Sequence, residues 1–129
     1  MNKFTTLIAA TALLTSTAAY AGHHSSKELK SVKSSAGNVL ADAKGMTLYT
    51  FDKDAKNKSN CSGGCASSWP PAKATADAAT HGAFATIKRA DGSYQYTLDG
   101  KPLYTWAGDS KPGDVTGNGV GGVWHIVPR

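Results

Sequence analysis

Two short stretches carry the residues best placed to do chemistry. Tyr49-Thr50-Phe51-Asp52-Lys53-Asp54 and Tyr104-Thr105-Trp106-Ala107-Gly108-Asp109 both read Tyr-x-aromatic-x-x-Asp. In an extended chain residues two apart share a face. Tyr49 with Phe51, and Tyr104 with Trp106, therefore present paired rings, while Leu48, Thr50, Leu103 and Thr105 point the other way. Asp54 and Asp109 fall just beyond the strand ends. Two chemistries fit. In the first, rings that bury on the order of 150–250 Å² each and an Asp that accepts backbone N–H bonds form an architectural corner used twice. In the second, Tyr49, Phe51, Asp54, Tyr104, Trp106 and Asp109 line a twofold groove whose rings and carboxylates hold a sugar, a peptide or an amine. Acid–base work by the two carboxylates is a third possibility that the sequence leaves unspecified, because nothing fixes their separation.

Three other groupings invite chemistry. Cys61 and Cys65 are the only cysteines and enclose Ser62-Gly63-Gly64. An even count in an exported chain predicts a disulfide, and the glycines ease so small a ring. A thiol-redox pair or a thiolate metal site is the alternative, although the spacing is not C-x-x-C and no further zinc ligand stands nearby. Gly22-His23-His24 becomes a new amino terminus if cleavage follows Ala21. Its amine, two deprotonated amides and the His24 imidazole would then make a square-planar nitrogen set suited to Cu(II) or Ni(II). The competing reading is a plain His-containing arm, so copper is the one cofactor the sequence raises. The polar run Asp109 to Gly119 lacks the ligand alternation and terminal Glu of a Ca²⁺ loop and reads as a surface loop. His81 and His125 show no partner in the sequence.

The elements that must position these residues come from an internal duplication. Shifting the chain by 55 superimposes 45–69 on 100–124 without a gap, and eight of those 25 pairs are identical, among them Tyr49/Tyr104, Asp54/Asp109 and Trp69/Trp124. Two copies of one unit follow, about 29–74 and 84–129. Neither covers its own apolar face alone. Alternation predicts strands over 84–89, 94–98, 101–106 and 122–127, with turns at Ala90–Ser93 and Asp99-Gly100. Counting back gives strands over 29–33, 39–42 and 46–51, and a fourth over 67–72 weakened by Pro70-Pro71. A short Ala-rich helix is expected over 75–80. The fold class is all-β, two similar antiparallel units of about 50 residues packed with pseudo-twofold symmetry as a sandwich or barrel.

The motif and its setting resemble a known family. Cys61-Ser62-Gly63-Gly64-Cys65 precedes Trp69-Pro70-Pro71, and Gly121-Gly122-Val123-Trp124-His125 stands near the end. With the two motif copies these landmarks resemble the bacterial secreted-repeat family of predicted lipoproteins, over roughly Ser31 to Pro128. The resemblance implies export and little about activity, since the family's function is unknown. This chain departs from the lipoprotein pattern in having no Cys to acylate, so a lipid anchor is not expected.

Location follows from the first residues. Met1-Asn2-Lys3, the apolar run Phe4–Leu14 and the Ala19-Tyr20-Ala21 ending make a secretory leader over 1–21. The apolar run is far short of the about 20 residues a transmembrane helix needs. A flexible arm over 22–28 then precedes a single β-domain over 29–129, periplasmic or secreted. The chain carries 14 Lys+Arg against 9 Asp+Glu, net +5. The lysines are spread along it, densest at Lys53–Lys58, which argues against a nucleic-acid partner and for weak attraction to anionic envelope surfaces. No nucleophile elbow, phosphate loop, zincin helix or dinucleotide fingerprint occurs. The expectation is a non-enzymatic envelope protein that binds an unspecified ligand or partner, with N-terminal metal binding or thiol redox as alternatives.

Overall fold

A computed structural model describes residues 29–75, 78 and 81–129. The expected leader, the expected arm with Gly22, His23 and His24, and most of the helix expected over 75–80 lie outside the described residues.

Each repeat begins with a hairpin. β1 (Lys30–Ser34) pairs antiparallel with β2 (Gly37–Ala41), and β5 (Phe84–Lys88) with β6 (Tyr94–Leu98). The first turn is closed by the Ser34 hydroxyl, which accepts from the Ala36 N–H at 3.0 Å and donates to the Gly37 carbonyl at 2.6 Å. In the second turn Asp91 accepts from the Ser93 N–H and hydroxyl at 2.9 and 2.6 Å. Asp99 and Gly100, both at positive φ (54° and 80°), then reverse the chain into β7 (Lys101–Pro102). Two successive left-handed residues give the mirror-image turn whose twist suits a hairpin, which is why Asp-Gly stands there.

The repeats interlock instead of lying side by side. β3 (Tyr49–Phe51) of the first repeat pairs with β8 (Trp124–Ile126) of the second. β4 (Lys73–Ala74) of the first pairs with β6 of the second, and the second repeat's end returns the exchange through the Val39–Pro128 bridge. The pseudo-twofold axis passes between Tyr49 and Tyr104, equivalent residues that exchange both backbone hydrogen bonds at 2.8 and 3.0 Å. About this axis Tyr49 faces Ile126 as Tyr104 faces Pro71.

The expected strand faces are realised as two separate cores. Leu48 and Leu103 join Leu40, Ala72 and Leu98 in an aliphatic cluster. Tyr49 and Tyr104 join Cys61, Trp69 and Trp124 in an aromatic one, with Phe51 and Trp106 packed against it. Period-two alternation thus sends one motif strand's residues into two different interiors.

Five sequence expectations need correcting. The strand expected over 67–72 is preceded and partly replaced by α1 (Gly64–Ser68). Beyond it Pro70-Pro71 cannot donate to a ladder, so only Pro71 forms a bridge before β4. The strands expected over 46–51 and 101–106 each contract, leaving isolated bridges at Thr47 and Tyr104. The 122–127 strand loses its start to a 3-10 turn at Val120–Gly122, which swings Val123 into the aromatic cluster with Trp124. Finally, the constant shift of 55 fails at β2. Leu40 donates to Val127 and accepts from Leu48 as Tyr96 donates to Ala72 and accepts from Leu103. Leu40 therefore corresponds to Tyr96, a shift of 56, because the second hairpin turn is one residue longer and the following turn one residue shorter.

β6 carries an unexpected burial pattern. Its polar set, Gln95 and Thr97, is 0% exposed. Gln95 is satisfied by donating to the Leu103 carbonyl at 2.7 Å, whereas the Thr97 hydroxyl has no hydrogen-bond partner. A buried unpaired hydroxyl costs on the order of 1–3 kcal/mol. Thr97→Val keeps the shape and removes the orphan, so it should raise the unfolding free energy by about 1 kcal/mol in urea titrations.

Candidate functional site

The two motif copies meet across the axis, and each completes the other. The Tyr49 hydroxyl donates to Asp109 Oδ2 at 2.7 Å, and the Tyr104 hydroxyl donates to Asp54 Oδ2 at 2.6 Å. Tyr of one repeat is bonded to Asp of the other in both directions. The second oxygen of each carboxylate fixes its own loop. Asp109 Oδ1 accepts from the Thr116 N–H and hydroxyl at 2.9 and 2.6 Å. Asp54 Oδ1 accepts from the Asn60 N–H at 2.6 Å. Tyr49 and Tyr104 are fully buried and Asp109 is 8% exposed. Of the six motif residues, Phe51, Asp54 and Trp106 are left half-buried.

Burial, then the bond to the facing carboxylate, pushes both phenols well above the ordinary tyrosine range. Burial also raises Asp54, against the opposing pull of the Tyr104 hydroxyl, the Asn60 N–H and the Arg89 charge. Both carboxylates thus have their oxygens engaged by donors fixed in the fold. General acid–base work needs a carboxyl that can reach a substrate proton, and here both point into the interior.

The halves differ in how the phenol oxygen is held. Tyr49 receives the Gly117 N–H at 3.2 Å. Tyr104 lies 2.6 Å from the Ser59 hydroxyl, which donates, since the phenol proton is given to Asp54. Arg89 knits this half together, donating to Ser59 Oγ, Gln95 Oε1 and the Cys61 carbonyl at 3.0, 2.7 and 2.8 Å. Nothing in the sequence flagged Arg89 or Ser59. Arg89 sits in a polar turn, and its role depends on contacts 28 and 30 residues away in sequence.

The rings form a stack that is also organised about the axis. Trp69 and Trp124, equivalent residues, lie face to face with centroids 3.8 Å apart and planes 1° from parallel. Phe51 stacks on Trp124 at 4.1 Å and Trp106 on Trp69 at 4.1 Å. Tyr49 and Tyr104 meet Trp69 and Trp124 edge-on, at 5.3 and 5.2 Å. Offset and edge-on rings each add roughly 0.5–1.5 kcal/mol beyond area burial. Gly117 is the close-packing point, where a Cβ would lie 2.8 Å from Trp69 and 2.9 Å from Trp106.

Cys61 and Cys65 form the expected disulfide. Cys61 is fully buried among the rings, and Cys65 packs on the same cluster. The equivalent turn of the second repeat carries Thr116 and Val120 instead: Thr116 bonds Asp109, and Val120 packs on the rings. A covalent bond in one copy thus stands where a hydrogen bond and an apolar contact stand in the other. His125, partnerless in the sequence, has its Nε2 2.8 Å from the Asp52 carboxylate of the first repeat, on the exposed surface. In the Gly-rich loop, Asp114 accepts from Ser110 and from the Lys111 N–H and ammonium, so the loop is tied by its own residues. The Lys111 bond holds Asp114 well below the usual carboxylate range.

Two open clefts lie away from the motif. One, of about 540 Å³, runs between the β1–β2 turn and the 111–116 loop, past Lys33, Ser35 and Thr116. The other, of about 530 Å³, has Leu29, Ala72 and Tyr96 in its floor with Lys44 and Lys73 beside them. Neither includes a motif ring or carboxylate.

A family model for a secreted repeat of unknown function matches the chain twice, over residues 30–73 and 85–128. The chain belongs to that family, and the matches coincide with the two interlocked repeats. No curated protein and no solved structure matches it. Among the described residues no helix is long and apolar enough to cross a membrane.

Two outcomes test the clamp. Tyr49→Phe and Tyr104→Phe each strip a hydrogen bond from a carboxylate, a loss of about 1.5–3 kcal/mol. Urea unfolding should show the larger loss for Tyr49→Phe, whose partner Asp109 is the more buried. Alkaline titration gives the second. The raised phenols keep the folded state fully stable below about pH 10, the unfolded tyrosine value. Above it the unfolded chain ionises first, so stability should fall as pH rises. Phenolate absorbance should show both tyrosines titrating late, with unfolding.

Proposed function

We propose that this secreted-repeat protein is a non-enzymatic binding module of the bacterial cell envelope, delivered by the leader over 1–21 and working through residues 29–129. The observation that supports this is the reciprocal Tyr–Asp clamp. It commits Tyr49, Tyr104, Asp54 and Asp109 to holding the repeats together and leaves the outer rings of the stack, Phe51 and Trp106, half-buried. A rigid frame that presents ring surface suits ligands with an apolar sugar face. Its rigidity spares the frame an ordering cost on binding. The ligand reading of the six motif residues thus narrows to Phe51 and Trp106, with the other four as frame.

Muropeptides, which combine amino sugars with a short peptide, are the probe. Titration into the exported protein should shift tryptophan emission, since Trp106 lies in the same stack as Trp69 and Trp124. Phe51→Leu should weaken the response roughly fivefold, the loss of about 1 kcal/mol of stacking. An emission spectrum unmoved by muropeptides at millimolar concentration, with intact sacculi failing to retain the protein, would end this reading.

A further inference from the structure

The loop between the motif strand and the disulfide carries an ammonium cluster that the clamp does not use. Lys53, Lys56, Lys58 and, from the neighbouring turn, Lys101 are all exposed. The loop backbone is held: the Asn57 N–H donates to the Gly100 carbonyl at 2.7 Å, Ala55 and Lys58 bridge each other, and the Asn60 amide donates to the Lys53 carbonyl at 2.8 Å. Lys56 lies across Gly100, where a Cβ would come within 2.7 Å of its Cγ. That contact brings the 53–58 loop beside Lys101.

Among the described residues no salt bridge joins a carboxylate to the cluster. Among the described residues the only ion pairs are Lys111–Asp114 and His125–Asp52. Asp54 is turned inward to Tyr104 and Asn60, and Asp52 to His125. Asp99, exposed in the adjacent turn, leaves the patch net positive. The pseudo-equivalent loop of the second repeat supplies an internal comparison. It reads Gly108-Asp109-Ser110-Lys111-Pro112-Gly113, with one Lys, and that Lys is paired with Asp114. The same backbone corner is charged and open at one end of the molecule and neutralised at the other.

We propose that the 53–58 loop with Lys101 is a docking surface for the phosphate headgroups of an anionic lipid bilayer. Neither cleft includes these lysines. Four exposed ammonium groups carried by one hydrogen-bonded backbone corner complement a flat surface of phosphates. The inference rests on export and not on the ligand reading of Phe51 and Trp106, and it places the open end of the domain toward the membrane.

Co-sedimentation of the exported protein with phosphatidylglycerol-containing vesicles tests it, against pure phosphatidylcholine. Each Lys near an anionic surface is worth about fivefold in affinity, so Lys53→Gln/Lys56→Gln/Lys58→Gln should weaken binding roughly 100-fold, and salt should weaken the parent protein too. Lys30→Gln/Lys33→Gln/Lys44→Gln removes equal charge from β1 and the β2–β3 turn and should cost less than about tenfold if the surface is local. Equal losses in the two triple variants would show attraction by net charge alone and overturn the proposal. So would equal binding to neutral vesicles, no vesicle binding at all, or binding only to a soluble polyanion such as dextran sulfate. The muropeptide response should survive in both triple variants, so failure here and failure of the ligand reading are told apart.

Discussion

The arrangement depends on two equivalent tyrosines paired across a pseudo-twofold axis. Tyr49 and Tyr104 exchange main-chain hydrogen bonds with each other, so their side chains leave the same face of the pair and enter one aromatic core. Each hydroxyl then arrives at the Asp that follows the partner's strand. The remaining features follow from that geometry. The carboxylate that receives the phenol has a second oxygen free, and it closes the next loop. That loop leads to the turn bearing Trp69 or Trp124, and the two tryptophans stack across the axis. A change at either tyrosine is therefore felt in the partner's loop and in the ring stack, not only in its own strand.

Interlocking also explains why this chain carries its motif as a pair. A single repeat would expose a buried Tyr without its acceptor and a carboxylate without its donor, and its last strand would have no sheet to join. Strands exchanged between repeats turn a local unit into a long-range one: the clamp bonds span 60 and 50 residues. Folding must therefore close large loops before either clamp forms, which favours slow, cooperative assembly over stepwise growth of one repeat.

How much of this was legible in the sequence can be argued residue by residue. The shift of 55 exposed the duplication, and alternation at Leu48-Tyr49-Thr50-Phe51 sorted side chains between two faces that prove to be two cores. Self-comparison reports which residues are equivalent, but not which residues touch. It therefore could not show that Tyr49 meets Asp109 instead of Asp54. Nor could it see the slip at β2, because one extra residue in the 89–93 turn is cancelled by one fewer near Asp99-Gly100 and the flanking registers agree. Gln95 and Thr97 are polar, yet tertiary packing buries both. Helix α1 escaped because its residues, Gly64-Cys65-Ala66-Ser67-Ser68, have no helical periodicity, and its turn is set by the disulfide and the proline pair that follows.

Where two copies share a backbone, their differences are more informative than their likeness. Three of the identical pairs, Tyr49/Tyr104, Asp54/Asp109 and Trp69/Trp124, build the clamp and the ring stack. The divergent pairs fall into two groups. One group solves the same local problem by other means: Cys61 and Cys65 against Thr116 and Val120, or Ser59 with Arg89 against the Gly117 N–H, which lets Gly117 fit beneath Trp69 and Trp106. The other group has no structural task in common. Lys53 and Lys58 stand against Gly108 and Gly113, and Asp52 with His125 against Ala107 with Pro70. These positions are exposed or half-exposed, and none supports the axis. Symmetry built the frame, so the features that break it on the surface are those free to have been shaped by what a secreted-repeat protein meets.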